Sequence, residues 1–160
     1  MNKLFTIALR AALAATFLFS LFGQILVIPN SVVDELRRYL PPQLVVAYAT
    51  LGILGVVCIQ VAMGAVWKLL AMVEQDAIFT PNAFRWIDAI IGASVAAALL
   101  SFAVAVHLMF INMDEMAFLG AWLLAVACGV AGACLAMLMT IMRGLLRKAT
   151  DLESEMAEVV

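Results

Sequence analysis

His107, Gln24 and Gln60 stand out first, because each sets a polar side chain inside a long apolar run. Ionisable groups at bilayer depth are costly and are functional candidates by default. A neutral imidazole at position 107 needs one hydrogen-bond partner, and Asn112, Asp114 or Glu115 lies close enough in sequence to supply it. The sharper alternative is a proton- or metal-sensing role. For Gln24 and Gln60 the default is a hydrogen bond between helices, with the lining of a polar cavity as the alternative. Taken as two isolated amides, they do not make a pathway.

Sulfur supplies a third candidate. Cys134, Met137, Met139 and Met142 fall within one segment, and Cys134 and Met137 share a helix face. Such soft ligands suit copper, but Met is equally a filler of irregular gaps between helices. Cys58, Cys128 and Cys134 all lie in apolar runs, and no Cys-x-x-Cys occurs. There is no second His, no carboxylate inside an apolar run and no His-Glu-x-x-His. Proton-coupled exporters, intramembrane proteases and zinc hydrolases each require one of these. The expectation is a non-enzymatic protein with no catalytic residue, no metal site and no cofactor. A formal charge of −2 without a long basic run gives no grip on a phosphate backbone, so no direct nucleic-acid binding is expected.

The elements that must position these groups are set by the charges. Four stretches carry none: Ala11–Val33, Tyr39–Trp67, Ala89–Met113 and Met116–Met142, of 23, 29, 25 and 27 residues. About 20 apolar residues in a helix cross a hydrocarbon core roughly 30 Å thick. A composition of 67% hydrophobic and 12% charged residues fits a soluble fold poorly. The fold class expected is all-α, an integral membrane four-helix bundle. It forms one domain over residues 1–160, with spans near 9–29, 43–67, 87–112 and 116–142 and an amphipathic tail over 143–160. The run after Lys3 and Arg10 is longer than a signal h-region and offers no Ala-x-Ala site, so it reads as a retained first span.

Basic residues favour the cytoplasmic side. The two tails and the second loop share a side and hold seven of them: Lys3, Arg10, Lys68, Arg85, Arg143, Arg147 and Lys148. The other side holds only Arg37 and Arg38. Both termini are therefore expected in the cytoplasm of a cell with the chain multi-pass in its cytoplasmic membrane. Trp67, Trp86, Tyr39, Tyr48 and Trp122 fall near the span ends, the usual aromatic belt.

Local signals fill in the rest. Span one is expected to end at an Ile28–Pro29–Asn30 turn, after which Ser31 caps a short interfacial helix bearing Val33, Leu36 and Leu40 on one side. In Phe79-Thr-Pro-Asn-Ala-Phe84, Thr80 reads as an N-cap, Pro81 as the first helical residue, Asn82 as the next, and Phe79 with Phe84 as a hydrophobic staple. This loop is a candidate interaction site. Ala89, Ala93, Ala97, Ser101 and Ala105 form one small-residue ridge, and Ala121, Ala125, Gly129 and Ala133 another. Beyond Met142 the helix is expected to continue, with Leu145, Ala149, Leu152, Met156 and Val159 as an apolar stripe. Thr150 with Glu153 also reads as a capping box, which would break and restart it. The tail either packs on the loop or docks another protein.

From Trp67 to Asp88 and from Arg143 to Val160, the chain resembles a family of four-span prokaryotic membrane proteins catalogued as a domain of unknown function. The matching segments are Gln75-Asp-Ala-Ile-Phe-Thr-Pro-Asn82 and Arg147-Lys-Ala-Thr-Asp-Leu-Glu-Ser-Glu155; the ending Met156-Ala-Glu-Val-Val160 departs from the family's tail. Members are frequently encoded beside an Xre-type helix-turn-helix regulator, so the resemblance implies a regulatory or sensory membrane partner. The leading functional expectation is a regulatory, sensory or scaffolding protein acting through its cytoplasmic loop and tail. Its partners are the lipid bilayer, a cytoplasmic regulator protein and other copies of the chain. The alternative is a small oligomeric transporter or channel.

Overall fold

The computed structural model describes residues 3–74 and 81–158. Among them the chain is helical almost throughout. The elements are α1 (Lys3–Phe22), a π-helical segment (Gly23–Val32), α2 (Val33–Leu36), α3 (Pro42–Glu74), α4 (Pro81–Leu108) and α5 (Glu115–Glu158). Four helices are long and apolar enough to cross a membrane. They pack in chain order: α1 lies against α3, α3 against α4, and α4 against α5. No contact closes the row between α1 and α5 among the described residues.

The expected turn at Pro29 is absent. Proline lacks an N–H and clashes with the carbonyl four residues back, which normally kinks or breaks an α-helix. Here the helix widens instead, and the Val33 N–H bonds to the Ile28 carbonyl five residues back. The Asn30 amide donates to the Leu26 carbonyl at 2.9 Å. Val32, immediately before α2, has helical φ and ψ of −71° and −41°, so the chain enters α2 without the non-helical geometry of an N-cap. The break comes later, at Arg37–Pro41, where Pro41 supplies the first acceptor of α3 to Leu44 and Val45. Pro42 then takes the first helical position, where its missing N–H costs nothing.

The core is thin and centred on α4. Ala83, Ile87, Ile90, Ser94, Ala98, Ala105 and Leu108 are buried at steps of three, four or seven residues, one face of the helix. This stripe mixes large and small residues. Of the expected ridge it keeps only Ala105, while Ala89, Ala93 and Ala97 are only half-buried. A close backbone approach involves Gly132, whose absent Cβ would lie 3.1 Å from the Ser94 carbonyl oxygen and 3.3 Å from the Ala98 Cβ. Outside this seam, residues such as Phe19, Leu99, Leu124, Met137 and Ile141 stand exposed, an apolar exterior of the kind a bilayer covers.

Most hydroxyls in the helices are satisfied locally. Thr16, Thr50 and Thr140 each donate to the carbonyl four residues back, and Ser20 to the one three back. Thr150 does the same to Leu146 at 2.8 Å, so α5 does not restart there and runs on as one helix.

Candidate functional site

The residues singled out by sequence fall in three separate places. The first is in the seam between the first helix and α3. Gln60 Nε2 donates to Gln24 Oε1 at 2.9 Å and lies 3.1 Å from Ser20 Oγ, while Gln24 Nε2 donates to the Ile53 carbonyl at 3.1 Å. The two amides are therefore joined rather than isolated. The default of interhelical hydrogen bonding is what the structure places here. Ser20, unremarked in sequence, completes the cluster. Three bonds join two helices that otherwise share only a modest apolar contact, so the cluster fixes the register of the first helix on α3.

The second place is the far end of α3 and α4. Tyr48 Oη and His107 Nδ1 are 2.6 Å apart, with ring centroids 5.7 Å apart and planes tilted by 55°. A neutral imidazole accepts the phenol proton at Nδ1 and keeps its own proton on Nε2. His107 thus finds its partner on the neighbouring helix, not in the turn holding Asn112, Asp114 and Glu115. That turn engages a different tyrosine: Tyr39 Oη donates to Asp114 Oδ2 at 3.0 Å. The hydrogen bond to the carboxylate raises the Tyr39 phenol above its ordinary range, and the charge of Asp114 adds to this. Two tyrosines therefore tie this end together, one between α3 and α4 and one between the α2–α3 connection and the α4–α5 turn. Their positions near a span end suggested only a membrane belt; the pairings depend on helix register, which local sequence does not state.

The third place is the opposite end. Phe79 and Thr80, and with them the cap and the staple, lie outside the described residues. Pro81 is the first residue of α4, as expected, and Asn82 is exposed in its first turn. Two ion pairs brace this end, and neither was legible as a pair. Arg10 of α1 meets Glu74 of α3. Arg143 of α5 meets Asp88 of α4 through two contacts, Nη2 to Oδ2 at 3.0 Å and Nε to Oδ1 at 2.7 Å. All four side chains are about half exposed, so each pair positions helices more than it stabilises them.

Along α3, Tyr48 and Gln60 are separated by about 18 Å at the helical rise, so these groups do not converge on one reaction centre. No group of three or more His, Cys, Asp or Glu able to hold a metal occurs among the described residues. Cys134, Met137 and Met142 are exposed on α5 and present no enclosed soft-ligand set.

The family described as Protein of unknown function (DUF2975) matches residues 26–160. The chain belongs to that family. No curated protein and no solved structure shows a match. The DUF2975 match begins inside the π-helical segment, so it takes in α3, α4 and α5 and leaves α1 out. The helices it includes hold the buried core.

Proposed function

We propose that this DUF2975 protein is a non-enzymatic, multi-pass membrane protein that signals or scaffolds through α5, with both termini and the ion-paired end in the cytoplasm. The observation that carries the reading is the continuity of α5, one helix from Glu115 to Glu158. At about 1.5 Å per residue, it extends about 24 Å past Met142. Leu145 and Leu152 on this extension are 57% and 60% exposed, so the described residues leave them uncovered. A soluble amphipathic partner is the natural cover for such a stripe. A helix-turn-helix regulator, of the kind frequently encoded beside members of such families, is the partner proposed.

The amides support this reading over a pore. Gln24 and Gln60 spend their hydrogen bonds on each other, on Ser20 and on backbone, and leave little to line a pathway. The test is co-purification of the adjacent regulator from native membranes, using wild type and a double variant, Leu145→Asp with Leu152→Asp. Wild type should retain the regulator and the double variant should lose it at least about tenfold, the effect of placing charge in an apolar contact. A wild-type preparation free of the regulator would overturn the proposal.

A further inference from the structure

Beyond the Arg10–Glu74 pair along both helices, residues of α1 and α3 line a groove of about 370 Å³. Its lining includes Leu13, Phe17, Leu18, Met63, Gly64 and Trp67, and every lining residue is apolar. At Gly64 the groove is open, since a Cβ there would meet nothing within 4 Å. About one helical turn deeper lies the Ser20–Gln24–Gln60 cluster, whose hydrogen bonds run within it and to the Phe17 and Ile53 carbonyls. Arg10 lies three positions before the lining residue Leu13 on α1, and Lys68 follows the lining residue Trp67 on α3. Arg10 is neutralised by Glu74, but Lys68 is exposed and has no ion-pair partner among the described residues. Lys68 follows Gly64 by four residues, which puts both on one face of α3.

We propose that this groove binds one acyl chain of an anionic phospholipid, with the headgroup held by Lys68 and Trp67 at the boundary between head and tail. An apolar trough beside a positive charge that has no ion-pair partner among the described residues matches an amphiphile with a negative head. A helix from a second copy would fill the trough but leave Lys68 without a counter-charge. A zwitterionic lipid would fill it without the electrostatic gain. The proposal rests on the four helices crossing a bilayer, and on no particular signalling partner.

The experiment uses the full chain carrying Trp86→Phe and Trp122→Phe, so that Trp67 is the sole indole, reconstituted in phosphatidylcholine nanodiscs. Lipid with brominated acyl chains, either phosphatidylglycerol or phosphatidylcholine, is titrated in and Trp67 quenching is followed. Brominated phosphatidylglycerol should reach half-maximal quenching at a mole fraction about fivefold lower, the usual effect of one basic side chain at an anionic surface. Lys68→Gln should abolish that preference and Lys68→Arg should keep it. Gly64→Leu should fill the trough and weaken quenching by both lipids. Equal quenching by the two lipids in wild type, or a preference that survives Lys68→Gln, would overturn the site. Protection of Trp67 that grows with the number of chains per disc would show a second copy in the groove and would also overturn it. Failure to enter discs at all would overturn the membrane reading, and this one with it.

Discussion

Replacing Gly132 with Ala tests a close backbone approach between α4 and α5. Two effects oppose each other. Removing a glycine from a helix interior favours the helix by about 1 kcal/mol. Against this, the new methyl would sit 3.1 Å from the Ser94 carbonyl oxygen and 3.3 Å from both the Ala98 Cβ and the Ala98 amide nitrogen. These atoms belong to the α4 backbone or sit directly on it, so no flexible side chain can swing aside. The helices must part by a few tenths of an ångström along a close-packed seam, and overpacking of this sort costs about 1–3 kcal/mol. The net expectation is a loss of about 0–2 kcal/mol. Two other glycines on α5 calibrate it. Gly120 has nothing within 4 Å of its Cβ position, so Gly120→Ala should show the favourable helix effect alone. At Gly129 the obstacle is the Phe102 ring at 3.1 Å, a side chain 38% exposed that can rotate outward, so Gly129→Ala should fall between. Reversible unfolding in mixed micelles, followed by circular dichroism, should rank the stabilities Gly120→Ala, Gly129→Ala, Gly132→Ala in descending order. A Gly132→Ala protein as stable as Gly120→Ala would refute the reasoning.

The other expectations follow from the polar contacts. Gln60→Leu should destabilise by about 0.6 kcal/mol and by no more than about 1.7, the average and the maximum for hydrogen bonds between membrane helices, and a cycle with Gln24→Leu should show coupling. Independent effects of the two would mean the amides do not meet. Tyr48→Phe should shift the Nδ1 resonance of His107 in nitrogen-detected NMR, and an unmoved resonance would remove Tyr48 as its partner. The Tyr39 phenol is raised in the folded protein by its bond to Asp114, so that bond stabilises below the phenol's unfolded pKa and is lost as pH rises through the folded value. Ultraviolet titration of the Tyr48→Phe protein should therefore show Tyr39 ionising above pH 10, the ordinary value, and Asp114→Asn should lower it. Exchanging Arg143 and Asp88 should restore most of what Arg143→Ala loses, an amount on the order of 0.2–1 kcal/mol for a pair this exposed.

Charge placement made the four helices legible, because no soluble segment runs 23 residues or more without a charge so many times over. The start of α4 at Pro81 was legible too, since proline's fixed φ and missing N–H suit that position alone. What failed was information that resides between helices. Small residues are so frequent from Ala89 to Ala105 that spacing could not choose a register, and the buried stripe through Ile87, Ile90, Ser94 and Ala98 carries bulk as well. The pairing of Tyr48 with His107, and of Gln24 with Gln60, depends on how far one helix slides along the next. Pro29 failed for another reason. Proline forbids an α-helical bond but not a wider turn, and propensity alone does not separate a break from a π-helical passage.

The chain-order row has a bearing on how such a molecule is made. Each long helix after α1 packs against the long helix synthesised just before it. On the proposal that these helices insert into a bilayer, each would meet its neighbour already in place, and among the described residues no early helix would wait for a late one to return. Contacts between consecutive segments close short loops, which keeps the entropic barrier to assembly low. Among the described helices the α4–α5 seam forms after the α1–α3 and α3–α4 seams, so the step that makes it also joins the α5 extension to the helices before it.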